Sequence, residues 1–188
     1  CQFATKSVIH CPVNVRVYAA NGTLIAELLD GSESDITNTY GRFAVVYDYY
    51  MGDYVKVICL NSEENVSIQM SAVDDGLVSM ELAQAKDDEN KVYVFDNVPV
   101  KTGAVINTTV NQVVSENTYD IDTDGDGVVE KKEKVSIIQD NYVPIESVQL
   151  SNDTLSLSKG ESSILTVTIT PSNASEQKVS WMSADPSV

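Results

Sequence analysis

Apolar and polar residues alternate with period two along most of the chain, and that period belongs to β-strands. Between Val8 and Tyr18, Ile9, Cys11, Val13, Val15 and Val17 share one face. His10, Asn14, Arg16 and Tyr18 share the other, which predicts one half-buried strand. Asn21-Gly22 follows and predicts a tight type I′ hairpin into a return strand over Thr23 to Leu29, because that turn needs positive φ at both central residues. Gly31 to Tyr40 reads as a polar loop. Arg42 to Tyr50 and Tyr54 to Leu60 read as a second pair joined through Met51-Gly52-Asp53. Val66 to Val73 and Leu77 to Ala83 flank Asp74-Asp75-Gly76, a third predicted hairpin. Lys91 to Phe95 and Ala104 to Val110 bring the total to about eight strands, and turns every 8–12 residues or so give the rhythm of an antiparallel sandwich or barrel. No long helical pattern occurs.

From Asn111 to Tyr142 the chain turns polar and acidic, and large apolar residues are scarce until Val135 to Ile138. Alternation resumes beyond Pro144. Val148 and Leu150 share a face, as do Leu155 and Leu157, then Leu165, Val167 and Ile169, with Val179 and Trp181 following. The expected fold class is therefore all-β. An antiparallel β-sandwich over residues 1–114 leads through a connector, 115–142, into a second β unit over 143–188. That unit is short, and the chain starts at Cys1 without a Met, so the sequence reads as a piece of a longer protein.

Charge narrows the function. The 28 Asp and Glu outnumber the 12 Lys and Arg, for a formal net charge of −16. Nucleic-acid binding needs clustered Lys and Arg, so no nucleic-acid partner is expected. Electrostatic docking on anionic lipid is disfavoured too, and no apolar run approaches a membrane span. The acidity instead suits a cation binder. With one histidine, His10, a His-rich metal site is impossible and any catalytic triad would have to run through that residue.

One motif is specific. Residues 122–133 read Asp-Thr-Asp-Gly-Asp-Gly-Val-Val-Glu-Lys-Lys-Glu. Counted from Asp122, acids stand at positions 1, 3, 5, 9 and 12 and glycine at position 6, the spacing of an EF-hand calcium loop. Ca²⁺ takes six to eight hard oxygens at about 2.3–2.6 Å. The expected ligands are the carboxylates of Asp122, Asp124 and Asp126, the backbone carbonyl of Val128, Glu130 through a water, and Glu133 returning on a short helical turn. A calcium sensor would need paired loops and two amphipathic helices. A lone loop between β units predicts a structural clamp instead.

Other candidates carry less. His10 and Cys11 are neighbours on a strand and point to opposite faces. Cys11 and Cys59 both alternate with valines, which reads as two buried thiols on the core face, with a disulfide or a His10–Cys59 dyad as alternatives. No catalytic residue is expected. Tyr47, Tyr49, Tyr50 and Tyr54 cluster. They read either as cross-strand packing or as an aromatic platform for a sugar.

Val143-Pro-Ile-Glu-Ser-Val-Gln-Leu150, Leu155-Ser-Leu157, Lys159-Gly160, Leu165-Thr-Val167, Thr170-Pro171 and Val179-Ser-Trp181-Met-Ser183 followed by Pro186-Ser-Val188 resemble the first half of a bacterial immunoglobulin-like domain, group 2. Residues 7–110 more loosely resemble a β accessory domain in secreted proteins of Gram-positive anaerobes, through His10-Cys11-Pro12-Val13, Asn21-Gly22, Asp53 to Val57, Asp75-Gly76 and Asn97 to Val100. The resemblance implies an extracellular or cell-surface location and a multi-domain bacterial protein. It implies no catalytic residue. The expected function is a non-catalytic structural or adhesive module stiffened by Ca²⁺, with other modules of the same polypeptide as partners. The alternative is an accessory domain of a secreted hydrolase that grips a host or polysaccharide ligand through the tyrosines.

Overall fold

The long alternating run from Val8 to Tyr18 folds as two strands, β1 (Thr5–His10) and β2 (Val13–Ala19), which lie in different sheets. Pro12 has no N–H for a ladder and stands at the break. Alternation nevertheless survives the corner: Ile9 on β1 and Val13, Val15 and Val17 on β2 are all fully buried. This computed structural model describes all residues except 1–4, 11, 50, 62–64, 87–88, 111–116, 141–142, 144, 176, 178, 180 and 182–188. Cys1, Cys11 and Tyr50 therefore lie outside the described residues. The chain divides into two units, Cys1–Asn141 and Tyr142–Val188.

The first unit continues through β3 (Leu24–Leu28), β4 (Ser34–Thr37), β5 (Gly41–Asp48), β6 (Asp53–Leu60), β7 (Val66–Ala72), β8 (Gly76–Lys86), β9 (Glu89–Val100), β10 (Val105–Val110), β11 (Thr118–Asp122), β12 (Lys131–Lys134) and β13 (Ser136–Asp140). A seven-stranded sheet has the order β13-β9-β8-β1-β6-β5-β4, and a six-stranded sheet has the order β12-β11-β10-β7-β2-β3. Every pairing is antiparallel. Among the described residues the fold is all-β, as the alternation predicts. Between the sheets lie Phe43, Ile58, Leu60, Ile68, Met70, Met80, Leu82, Phe95, Ile106 and Tyr119. The Phe95 and Tyr119 rings stack at 3.9 Å.

Several local expectations change. The Asn21-Gly22 hairpin forms, but only Gly22 has positive φ, at 83°. The Gly22 N–H donates to the Ala19 carbonyl and the Ala19 N–H to the Thr23 carbonyl, both at 2.9 Å. That is a three-residue loop closed by a glycine bulge, and the ladder shifts register between Val17 and Tyr18. The polar stretch 31–40 contains β4, an edge strand whose Ile36 packs on the core. The Asp74-Asp75-Gly76 turn does not close a hairpin: β7 and β8 lie in different sheets. It is a second crossing, fastened to the first. The Val73 N–H donates to the Pro12 carbonyl at 2.8 Å, and Gly76 sits so close to the Pro12 ring that an added Cβ would be 3.0 Å from it. The stretch 115–142, expected as a connector, carries β11, β12 and β13, and these join both sheets.

Strand β6 inverts its expected faces. Ile58 and Leu60 face the core, and so does Lys56, whose side chain is fully buried. Its ammonium pairs with Asp30, just past β3 in the other sheet, and lies 3.4 Å from the Tyr54 carbonyl. The Asp30 N–H in turn donates to Asn14 Oδ1 at 2.8 Å, which fixes that turn. Cys59 consequently sits on the opposite side of β6, opposite Arg42 and Lys6. It is a buried free thiol, and burial raises its pKa. His10 lies four registers further along β1, opposite Val55. That is about 13 Å at the rise of a strand, too far for a dyad.

In the second unit β14 (Ser147–Leu150) and β15 (Val167–Thr170) form a two-stranded antiparallel sheet. Val143 and Ser175 exchange hydrogen bonds beside it, and Ala174 is buried. Among the described residues several of its large apolar side chains stay exposed, with Val148 at 57%, Ile164 at 84% and Trp181 at 56%, while Val167 and Ile169 are half-buried.

Two outcomes follow. Asp30→Ala leaves an ammonium in the core and should cost about 3–5 kcal/mol in urea unfolding. Lys56→Met removes the buried charge and leaves a carboxylate that reaches water, so its cost should be clearly smaller. Equal losses would refute the asymmetry. The only tryptophan of the chain is Trp181. Its native fluorescence should already be that of a water-exposed indole and should shift little when the first unit unfolds. A blue-shifted native spectrum would show it covered.

Candidate metal centre

The acidic loop joins β11 to β12, the last two strands of the six-stranded sheet. Carboxylate oxygens of Asp122, Asp124, Asp126 and Glu130 all lie within 4.8 Å of one another. Opposite ligands of a Ca²⁺ ion, each at about 2.3–2.6 Å, stand roughly 4.6–5.2 Å apart, so the donor set fits a calcium-sized cation. The all-oxygen, all-carboxylate chemistry suits a hard cation as well.

The loop is shaped by its own acids. Asp122 is 5% exposed, and its two oxygens accept the Gly125 N–H at 2.6 Å and the Gly127 N–H at 2.8 Å. Asp124 accepts the Asp126 N–H at 3.2 Å, and Asp126 accepts the Val128 N–H at 2.8 Å. Glu130 folds back onto Thr123, accepting its N–H at 2.7 Å and its hydroxyl at 3.1 Å. Burial pushes the Asp122 carboxyl up. The N–H groups of Gly127, Gly125, Asp124 and Asp126 together outweigh burial and hold its pKa below the ordinary value. A depressed folded-state pKa means that this carboxylate stabilises the fold above its unfolded pKa, and that the contribution fades as pH falls through the folded one.

Glu133, the expected position-12 ligand, is outside the cluster. No helical turn follows the loop: Glu133 lies on β12, opposite Tyr119. Tyr119 is three residues from Asp122, about 10 Å along a strand. Glu133 Oε1 is 2.5 Å from Lys131 Nζ instead. Lys132 Nζ holds Asp120 at 2.8 Å. Lys131 and Lys132 are thus engaged outside the group of four carboxylates. Val128, whose carbonyl was expected as a ligand, sits in the loop with its side chain 59% exposed.

Sequence reasoning singled out Gly127 and passed over Gly125. Gly125 has φ +77°, and an added Cβ would stand 2.4 Å from the Gly103 carbonyl oxygen. The acidic loop therefore rests on the turn between β9 and β10. That turn is tied to Asp75, which accepts Lys101 Nζ at 2.6 Å and the Thr102 N–H at 2.9 Å. The Lys101 hydrogen bond and then the Thr102 N–H hold the Asp75 carboxyl down, to about 2. Gly125 is visible in the sequence as a second glycine in the loop, but the residue it rests on is 22 residues away.

Among the described residues the tyrosines Tyr47, Tyr49 and Tyr54 form no flat platform. Tyr54 packs on the core at the end of β6. Tyr47 meets Tyr54 edge-on at 5.0 Å and Tyr49 edge-on at 4.8 Å. Tyr49 is 60% exposed, but its ring stands at 78° to Tyr47.

Gly125→Ala meets both a carbonyl and an unfavourable φ, whereas Gly127→Ala, at φ +91°, meets open space. The second change should cost about 1–2 kcal/mol from backbone conformation alone. The first should cost clearly more in denaturant unfolding. Equal costs would show that the loop does not rest on Gly103.

Residues 144–188 match the family model of the bacterial Ig-like domain (group 2). That is a non-catalytic Ig-like family, typical of bacterial surface and extracellular proteins. No curated protein and no solved structure matches the chain. Among the described residues no helix is long and apolar enough to cross a membrane. The C-terminal 45 residues are thus similar to a bacterial Ig-like module, and among the described residues the strands they contribute are β14 and β15.

Proposed function

We propose that this chain is a non-catalytic structural module of an extracellular bacterial protein, stiffened by calcium. The observation that carries the reading is the convergence of Asp122, Asp124, Asp126 and Glu130 on one point, with no lysine of the loop neutralising them. Four carboxylates in that space repel one another, and a divalent cation turns the repulsion into attraction. The ligands come from the loop between β11 and β12, with the Val128 carbonyl as the backbone donor. Glu130 binds directly from the end of the loop, and Glu133 stays with Lys131.

Binding here is mechanical in effect. The loop closes the edge of one sheet and rests on the β9–β10 turn through Gly125. A cation that fixes the loop therefore fixes the edge strand β12 and the turn beneath it. Affinity in the extracellular range, about 10⁻⁴–10⁻³ M, suffices for this role. The Ig-like match of the second unit supports a place in a string of surface modules, where stiffness serves to present a neighbouring module.

Excess Ca²⁺ should raise the melting temperature of the chain, and EDTA should lower it again. Asp124→Asn and Asp126→Asn should weaken the calcium response more than tenfold, read as the concentration of half-effect. Glu133→Gln should leave it within about twofold. No response in the unaltered chain would end the calcium reading. A response lost in Glu133→Gln would restore position 12 to the ligand set.

A further inference from the structure

The outward face of the six-stranded sheet carries a continuous polar row. Glu27 on β3 stands opposite Arg16 on β2, Arg16 opposite Gln69 on β7, and Gln69 opposite Asn107 on β10. Asn107 stands opposite Asp120 on β11, and Asp120 opposite Lys132 on β12. The charges at the two ends cancel in pairs. Arg16 Nε donates to Glu27 at 2.7 Å, and Lys132 Nζ donates to both oxygens of Asp120 at 2.8 and 2.9 Å. The middle of the row is uncharged, where Gln69 Nε2 donates to Asn107 Oδ1 at 3.2 Å.

Over this middle stretch the surface forms an open cavity of about 430 Å³. Such a volume lies within the usual range for a small-ligand site. Its lining includes Tyr18, Ser67, Gln69, Asn107, Thr109 and Thr118, so amides and hydroxyls surround one aromatic ring. Asn117 also lines the cavity. Its side chain is 3% exposed, and neither amide atom has a hydrogen-bond partner among the described residues. A buried amide without partners is unfavourable unless something hydrogen-bonds to it. A single hydroxyl can supply a donor or an acceptor to either end of the amide.

We infer that this face is a binding site for a neutral sugar. The chemistry selects the ligand. Sugar hydroxyls both donate and accept, matching amides and hydroxyls. One ring face is apolar and suits the Tyr18 ring, as aromatic side chains offer an apolar body with a polar tip. Charge excludes the anionic alternatives: the chain carries −16, Asp120 lines the same cavity, and the two cations of the row are already paired. Phosphorylated, sulfated or uronic-acid ligands would find no free cation in this row. The site lies on the outer face of the six-stranded sheet, away from the Tyr47–Tyr49–Tyr54 cluster of β5 and β6 in the other sheet.

A glycan array carrying neutral, uronic-acid and sulfated glycans, probed with the full chain, tests this. Binding should fall on neutral glycans. Tyr18→Ala and Gln69→Ala should each weaken it at least tenfold with the melting temperature held, and Tyr49→Ala should leave it unchanged. Asn117→Leu should keep or raise the melting temperature while weakening binding at least tenfold. No neutral glycan bound, equal binding of anionic ones, or loss on Tyr49→Ala alone would overturn the site. A melting temperature lowered several degrees by Asn117→Leu would also overturn it, because the amide would then be serving the fold.

Discussion

Two sheets share one interior, and the chain must cross between them without turning its apolar side outward. Every part of the first unit depends on that constraint. At Pro12 the crossing preserves parity, so Ile9 and Val13 bury on the same side although their strands belong to different sheets. The crossing at residues 73–76 is bound to it through the Val73 N–H and the Pro12 carbonyl. The Pro12 carbonyl thus accepts a backbone N–H that the second crossing takes out of the β7 ladder. The β9–β10 turn joins the same corner: the Ala72 N–H donates to the Ala104 carbonyl at 2.9 Å, and the Gly103 N–H to the Ala72 carbonyl at 3.0 Å. The acidic loop then rests on Gly103. The candidate metal centre is therefore supported by the same knot of turns that lets the sheets face each other.

Lys56 is the place where the period-two rule misleads. Val55, Val57 and Cys59 form an apolar set, and their neighbours include a lysine, so alternation assigns the odd positions to the core. The structure turns the even ones to the core between the sheets, because the Lys56 ammonium finds Asp30 across the sandwich and its stem packs like a hydrophobe. No local pattern contains Asp30, which is 26 residues away. The same limit hid the hairpin exchange of β7 and β8. Asp74-Asp75-Gly76 carries hairpin chemistry, but Asp75 spends its carboxylate on Lys101 and Thr102 of another turn. Strand existence was legible where apolar alternation was strong and not in the polar stretches that hold β4, β11 and β12; partner choice was not legible, because it is set by residues far apart in the chain.

The metal-ligand spacing was legible for a different reason. Positions 1, 3, 5 and 9 converge by local geometry alone: Asp122, Asp124 and Asp126 accept hydrogen bonds from N–H groups two to five residues on, and Glu130 accepts from Thr123. Position 12 does not, because its place in an EF-hand depends on the helix that follows. Here Lys131-Lys-Glu-Lys134 pairs with β11 as a strand. A strand rises more than twice as far per residue as a helix, so Glu133 is carried away from the loop instead of back over it. The twelve-residue spacing is thus shared with the EF-hand, while the ligand set is decided by the secondary structure on its far side.

The acids of the six-stranded sheet divide by role. At the loop end of β11 Asp122 is buried, and backbone N–H groups hold its pKa below the ordinary value. On the outer side Glu27 and Asp120 are matched by Arg16 and Lys132, which leaves the central amides electrically quiet. Asp120 and Asp122 are two residues apart on β11 and share its face, opposite Asn107 and Val105: one ends the polar row, the other begins the acidic loop. Lys132 is what keeps them distinct. By pairing with Asp120 it removes a fifth carboxylate from the vicinity of the loop and leaves the cluster of four without a cation of its own. The charge that the loop retains is therefore a consequence of the pairing next to it, and not of acid content alone.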